Sequence, residues 1–368
     1  MSIPVMKGIT AKIIKTKRIT SRILFYGPED GIPVLFLHGN LSTATWWEDN
    51  LVLIPEGYLA IAPDQRGFGD SDPEQHINAT RGLGDLADDA AALLDELGIE
   101  KAHVVGNSLG GNVVYWMMAD HSERLKSVVL AGGGSPYGFR GTKDEIGTPC
   151  YDDFAGSSGG IVNPALIKSI KEKDMNLDNK MGLRAALHAL VFSSKLIPPE
   201  REKVLLEACF SIHIGEKDFP GDFVKSPNWP YFSAGNWGSV NALSPKYHID
   251  VNKIYKAKNK VEVIWARGEH DIAVADSAGS DPGVLGKMGL IPNYPSDVVY
   301  PPQPMNKQIS RFLNDYAVAG GSYKEVIIRD LGHAFFMERP VQFNALLNNF
   351  ILRVDKKIEI LSAAGRQA

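Results

Sequence analysis

Two cysteines in 368 residues, Cys150 and Cys209, are too few to staple a small secreted fold or to supply a cysteine-rich metal site. A single bridge between them is the most they can form, so a reducing compartment is expected. Positive charge is not in excess either. The 39 basic residues face 43 acidic ones, a formal net charge of -4, which leaves nothing to hold a phosphate backbone and makes nucleic acid an unexpected partner. No run approaches the roughly 20 apolar residues of a membrane-spanning helix. Residues 1–20 carry Lys7, Lys12, Lys15, Lys17 and Arg18 without the apolar stretch of a secretory signal. The expected location is therefore the cytoplasm, with no membrane as partner. Internal repeats and low-complexity tracts are also missing.

What is present is ordinary: 44% hydrophobic and 22% charged residues are the balance of a packed globular chain and argue against disorder. The length exceeds a typical domain of roughly 100 to 200 residues, so one enlarged domain or a core with an insertion is expected. Short apolar runs at Ile9–Ile14, Ile19–Tyr26, Pro33–Leu37 and Tyr58–Ala62 read as strands, and the lack of alternation in Pro33–Leu37 points to burial on both faces. Leu83, Leu86, Ala87, Ala90, Leu93, Leu94 and Leu97 recur at helical spacing, with Gly98 as a stop. A strand at Ala102–Gly106, an apolar helix at Asn112–Ala119 and a strand at Ser127–Leu130 follow. This alternation predicts a doubly wound α/β sheet.

The alternation breaks at about Tyr137 and resumes with the strand Val261–Ala266, the helix Met305–Tyr316, the strand Lys324–Arg329 and a helix opened by Pro340. Between them, helices are predicted near Pro164–Lys173, Lys180–Phe192 and Pro199–Phe210. The stretch is too long for a loop and reads as an inserted cap.

Gly106-Asn107-Ser108-Leu109-Gly110 places a serine in a G-x-S-x-G between a predicted strand and a predicted helix. A sharp strand-to-helix turn points the hydroxyl away from the sheet, and the free N–H groups of the helix start can face a developing oxyanion. A serine is a weak nucleophile at neutral pH and needs a base. Gly332-His333, on a loop after the strand Lys324–Arg329, provides it; the other histidines lack such a context. The base needs a carboxylate to fix its tautomer. Gly268-Glu269-His270-Asp271 follows the strand Val261–Ala266, and Asp271 lies deepest past the strand end, with Glu269 and Asp276 as competitors. The backbone N–H groups of Asn40 and Leu109 are the expected oxyanion donors. His38 is expected to be structural, and the charges of Asp64 to Ser71 are expected to pair within their own turn.

Together, His38-Gly39-Asn40, the stretch Asp64 to Ser71, Gly106 to Gly111, Gly268 to Asp271 and Gly332-His333 through Pro340 resemble the α/β-hydrolase superfamily. The resemblance implies an α/β-hydrolase fold: a mostly parallel, doubly wound sheet with an inserted, largely helical cap at 137–245, the core being 1–136 and 246–368. The order Ser108, Asp271, His333 is the order expected of that fold. The elbow is similar to those of esterases and of the meta-cleavage-product C-C hydrolases, whereas His-Gly-Asn resembles the haloalkane dehalogenases. Dehalogenases and epoxide hydrolases use aspartate at the elbow, so Ser108 argues against both chemistries. The chain departs from compact members in the size of its cap and in the 62 positions between the proposed acid and base.

The resemblance thus implies a serine hydrolase without cofactor or metal. An ester or lactone of a hydrophobic small molecule is the expected substrate, and a homodimer is left open. A C-C bond hydrolase, an amidase and a ligand-binding receptor on the same scaffold are the alternatives. Trp229, Tyr231, Phe232 and Trp237 either line an apolar pocket or form the core of the insertion itself. The cations Arg140, Lys143, Arg184 and Lys195 are scattered and read as solvated surface.

Overall fold

The computed structural model describes residues 5–192 and 196–364. The strands are, in chain order, β1 (Thr10–Lys15), β2 (Thr20–Tyr26), β3 (Ile32–Leu37), β4 (Tyr58–Pro63), β5 (Ala102–Asn107), β6 (Leu125–Ala131), the short β7 (Ile214–Gly215), β8 (Phe219–Pro220), β9 (Phe223–Lys225) and β10 (Phe232–Ala234), then β11 (Glu262–Gly268) and β12 (Ser322–Ile328). Eight of them form one sheet in the order β1-β2-β4-β3-β5-β6-β11-β12. Every neighbouring pair from β4 to β12 is parallel, and only β1 with β2 and β2 with β4 are antiparallel.

Burial follows the apolar runs. Every residue of β4 and β5 is buried, as expected of central strands covered by helices on both faces. The edge strand β1 is almost wholly exposed and carries Lys12 and Lys15, charges that blunt an open edge. The helix Gly84–Glu96 buries Leu86, Ala90, Leu93 and Leu94, while the helix Leu109–Asp120 is apolar on most of its surface because it is buried on most of it. The long last helix, Pro340–Ala364, is tied to the sheet by Asp355, which accepts from Tyr58 (2.6 Å), His103 (3.0 Å) and Lys126 (2.7 Å). Burial works against the charge of Asp355, yet these donors hold its carboxyl well below the usual range.

The parallel registers align the strand ends that matter. Leu37 pairs with Gly106, Asn107 with Ala131, Ala131 with Ala266, and Gly268 with Ile328. The loops that leave β3, β5, β6, β11 and β12 therefore emerge along one edge, where α/β sheets place their ligands.

Residues 132–261 separate β6 from β11. They hold the helices Pro164–Lys171, Leu183–Leu190 and Pro199–Cys209, close to the predicted ones, and also two small two-stranded sheets, β7 with β8 and β9 with β10. The insertion is thus less helical than expected. It docks on the core through Arg201, which donates to Glu48 (2.8 Å), Asp49 (2.7 Å) and the carbonyl of Thr45 (2.8 Å). The stretch after Asp276 packs on this insertion although the sequence placed it with the core: Trp229 meets Tyr294 and Tyr300, and Tyr300 donates to the carbonyl of Ala155. That stretch and the crossover helix Met305–Val318 account for the long interval between positions 271 and 333. Among the described residues no helix is long and apolar enough to cross a membrane.

Candidate functional site

β5 ends at Asn107, and the helix Leu109–Asp120 begins two residues later, so Ser108 alone must turn the chain. It does so at φ 51° and ψ -118°, a conformation that costs a non-glycine residue of order 1–3 kcal/mol. The flanking glycines allow this turn for steric reasons. A Cβ on Gly110 would come within 2.2 Å of the Leu37 carbonyl oxygen, so only glycine lets the helix start approach β3. Leu109 is the first residue of that helix, and its N–H has no partner within it. Asn40, in the loop after β3, lines the same cavity as Ser108; its side-chain oxygen accepts from the Leu41 N–H (3.1 Å) and the Ser239 hydroxyl (3.3 Å).

His333 and Asp271 are brought together from the loops after β12 and β11. His333 Nδ1 lies 2.8 Å from Asp271 Oδ2, with both side chains nearly dry. Asp271 Oδ1 accepts from the N–H groups of Ala273 (2.8 Å) and Val274 (2.9 Å), so the carboxylate is fixed on both oxygens. A carboxylate oxygen can only accept, so Nδ1 is the donor of this bond and Nε2 points away from the acid. The competitors are occupied elsewhere. Glu269 accepts from the Asp330 N–H, and Asp276 caps the start of the helix Met305–Val318 through the N–H groups of Asn306 and Lys307.

The His333 loop is held from both sides. Phe335 and Phe336 follow it into the core, where Phe336 lies 4.3 Å from the ring of Trp47; burying each is worth about 1.5–3 kcal/mol. Ala334 donates its N–H to the carbonyl of Val191, which links this loop directly to the insertion.

Ser108, Leu109, Asn40 and His333 open on one cavity of about 400 Å³, the size of a small-molecule site. Its far wall comes from the insertion and is largely aliphatic, with Leu166, Leu187, Leu190, Phe219, Val240 and Leu243. Trp229, Tyr231, Phe232 and Trp237 are not among its lining residues, which corrects the pocket alternative. Trp229 instead packs between Tyr294 and Tyr300 with its indole N–H on the Pro292 carbonyl (2.9 Å), Tyr231 is exposed, Phe232 meets Phe223 edge-on, and Trp237 lies under the Lys217 ammonium. An acceptor stabilises a buried indole N–H, and this one has its acceptor outside the cavity.

Two other expectations change. The charges of Asp64 to Ser71 do not pair within their turn: Asp64 meets Arg22 on β2 (3.0 Å), and Arg66 meets Asp89 on the helix Gly84–Glu96 (2.7 Å). His38 is structural, as read, accepting from the Gln65 N–H at Nε2 and facing the Gly39 carbonyl at Nδ1; burial pushes its imidazolium down to about 4. Of the four scattered cations, Lys143 is exposed, Arg184 pairs with Glu202, and Lys195 lies outside the described residues. Arg140 is no surface residue, because it lines the cavity.

Gly132, just past β6, was missed in the sequence, although the run Gly132-Gly133-Gly134 at a strand end was its signal. At φ 61° a Cβ there would stand 3.2 Å from His333 Nδ1 and 3.5 Å from Asp271 Oδ2. Among the described residues, Glu269, His270 and Asp330 come close enough together to share a metal ion, but all three are exposed, as acidic groups often are without one.

Residues 32–147 match the family model for the alpha/beta hydrolase fold. A stretch of 133 residues is 33% identical to the AB hydrolase superfamily protein YfhM of Bacillus subtilis (strain 168), covering 36% of this chain and 46% of that protein. A stretch of 105 residues is 35% identical to 2-hydroxymuconate semialdehyde hydrolase of Pseudomonas sp. (strain CF600), covering 28% of this chain and 36% of that one. The matches thus span less than half the length of these curated relatives. Among solved structures, naproxen esterase (carboxylesterase NP) from Bacillus subtilis superposes with a TM-score of 0.54 over 95% of this chain and 92% of the other, at 20% identity, a likeness of fold.

Proposed function

Because residues 32–147 match the family model for the alpha/beta hydrolase fold, we propose that the chain is a serine hydrolase cleaving a carboxylic ester or lactone of a hydrophobic small molecule through an acyl-enzyme. The observation that carries this reading is the 2.8 Å bond from His333 Nδ1 to Asp271, beside a serine held in a strained turn on the same cavity. In this scheme Ser108 Oγ attacks the carbonyl carbon while His333 Nε2 takes its proton. The N–H groups of Leu109 and Asn40 receive the oxyanion. The imidazolium, stabilised by Asp271, returns the proton to the leaving alcohol. Water then attacks the acyl-enzyme with His333 again as base, releasing the acid. The insertion acts as a cap whose aliphatic wall keeps bulk water from the acyl group. The two free cysteines, Cys150 and Cys209, favour a reducing, cytoplasmic setting.

The test is labelling by a fluorophosphonate, expected in the native protein and lost in Ser108→Ala, together with a panel of p-nitrophenyl esters, lactones, amides and a ring-fission dienone. Esters or lactones should have the highest kcat/KM. Cleavage of the dienone with only trace esterase activity would favour the C-C reading, which the likeness to 2-hydroxymuconate semialdehyde hydrolase keeps in view. No labelling at all would favour a binding protein on this scaffold.

Two substitutions check the supporting structure. Gly132→Ala is expected to lower kcat about 10-fold or more, since a small displacement of the acid–base pair is amplified in rate, and to lower thermal stability because alanine is strained at φ 61°. Unchanged kcat would show that the pair has room to spare. Trp229→Ala should cost about 3–5 kcal/mol in thermal unfolding as a buried large-to-small change, whereas KM for a small ester should stay near its native value. A raised KM at native stability would return the ring to the site.

A further inference from the structure

Arg140 sits in the wall of the cavity that holds Ser108 and His333. The residue is half-buried and its Nε is shut off from solvent; desolvation weakens the hold of the guanidinium on its proton, an effect that the charge of Asp281 only partly offsets. Its Nε has no hydrogen-bond partner, and among the described residues no carboxylate reaches ion-pair distance of it. Asp281 uses one oxygen on the Gly283 N–H (2.7 Å) at the start of the helix Pro282–Lys287, and its other oxygen, itself without a hydrogen-bond partner, stays beyond ion-pair distance of Arg140. The guanidinium carbon lies 4.7 Å from the centre of the Phe139 ring, a cation–π contact that uses none of its N–H donors.

The backbone reinforces this placement. Arg140 is held at φ 74°, and its N–H donates to the side-chain oxygen of Gln303, itself bound to the Gly138 carbonyl (3.0 Å) and to Gln308 (2.8 Å). An unfavourable backbone conformation thus keeps a cation inside a mostly apolar chamber. The remaining charge in that wall is also positive: Lys180 lines it, whereas no aspartate or glutamate does among the described lining residues. A desolvated guanidinium whose charge Asp281 offsets only in part is costly and gains from a partner that brings further negative charge within bonding distance.

We propose that Arg140 binds a carboxylate that the substrate carries in addition to the bond Ser108 attacks. This rests on the hydrolase reading above and changes its substrate class, from a neutral hydrophobic ester to an ester or lactone with an apolar body and one free carboxylate. A planar carboxylate matches the guanidinium fork with two parallel bonds. A phosphate dianion would lose more hydration in this aliphatic chamber than one arginine returns.

The test compares mono-p-nitrophenyl adipate with p-nitrophenyl hexanoate, acyl chains of equal length that end in carboxylate and methyl. The native protein should prefer the adipate in kcat/KM. In Arg140→Gln the adipate-to-hexanoate ratio should fall about 10- to 100-fold, mainly through KM, as expected for loss of a charge-assisted contact. Arg140→Lys should retain part of the preference, because it keeps the charge and loses the fork. Since φ 74° disfavours glutamine no more than arginine, thermal unfolding should show both variants folded. A ratio that Arg140→Gln leaves unchanged, or a native preference for the hexanoate, overturns the proposal. Calorimetric binding of monomethyl adipate to Ser108→Ala, with and without Arg140→Gln, separates the two readings. If the native protein turns over neither ester but Arg140→Gln still weakens binding about 10-fold or more, the hydrolase reading falls and the carboxylate site stands. If both esters are turned over while binding and ratio are indifferent to Arg140, the reverse holds.

Discussion

Ser108→Ala is expected to lower kcat for esters by about 10⁴ to 10⁶ while the folded protein stays as stable as before. The first part follows from the proposed chemistry, in which Ser108, at the end of β5 and on the cavity that His333 also lines, supplies the attacking hydroxyl. The second follows from the backbone: alanine is disfavoured at φ 51° about as much as serine, so the strain of the turn is retained and thermal unfolding should change by less than about 0.5 kcal/mol. Ser108→Gly should be equally inactive yet more stable, by about 1 kcal/mol or more, because glycine adopts this conformation without a Cβ penalty. Inactivity in both variants, with stability unchanged in one and raised in the other, is the signature of a residue held for its reaction and against its own conformational preference. A Ser108→Ala protein with more than about a tenth of native kcat would remove Ser108 from the mechanism.

Asp271→Asn should cost about 10⁴ in kcat with little change in fold. Its Oδ1 can still accept from the N–H groups of Ala273 and Val274, which orients the amide so that its NH₂ faces His333. An amide there donates to Nδ1, moving the ring proton to Nε2, where it blocks the transfer from the serine. Asp276→Asn is the control. Asp276 accepts at the start of the helix Met305–Val318, asparagine caps a helix about as well, and both kcat and stability should stay near native values. Glu269→Gln should behave similarly, since that carboxylate faces an exposed N–H. Native kcat in Asp271→Asn with loss in Asp276→Asn would reassign the acid.

Local signals made much of this readable. The strands predicted at Pro33–Leu37, Tyr58–Ala62 and Ala102–Gly106 lie within one residue of β3, β4 and β5, because a buried parallel strand must be continuously apolar and its ends are cut by glycine, proline or a polar turn. Ser108, Asp271 and His333 could be chosen for a related reason: in a parallel sheet each follows a strand directly, so position in the chain translates into position along one edge. Asp271 could be preferred to Glu269 on depth alone, and the hydrogen bond from His333 Nδ1 agrees.

The sequence by itself therefore determined the α/β-hydrolase core, its strand order of chemistry and the three residues offered as a triad, since those depend on periodicity and on what lies next along the chain. The tertiary structure alone decided what surrounds them. Trp229 read equally as pocket lining or as the insertion's own core, and Arg140 read as solvated surface; nothing in their neighbours along the chain says which way each turns. The indole went to an acceptor at Pro292 and left the cavity, while the guanidinium stayed in the cavity wall against Phe139, with no carboxylate at ion-pair distance among the described residues. Gly132 acquired its importance in the same way, from His333 and Asp271 arriving beside it out of distant loops. Facing, pairing and empty space are set by contacts between remote segments, and a reading from residue to residue along the chain does not contain them.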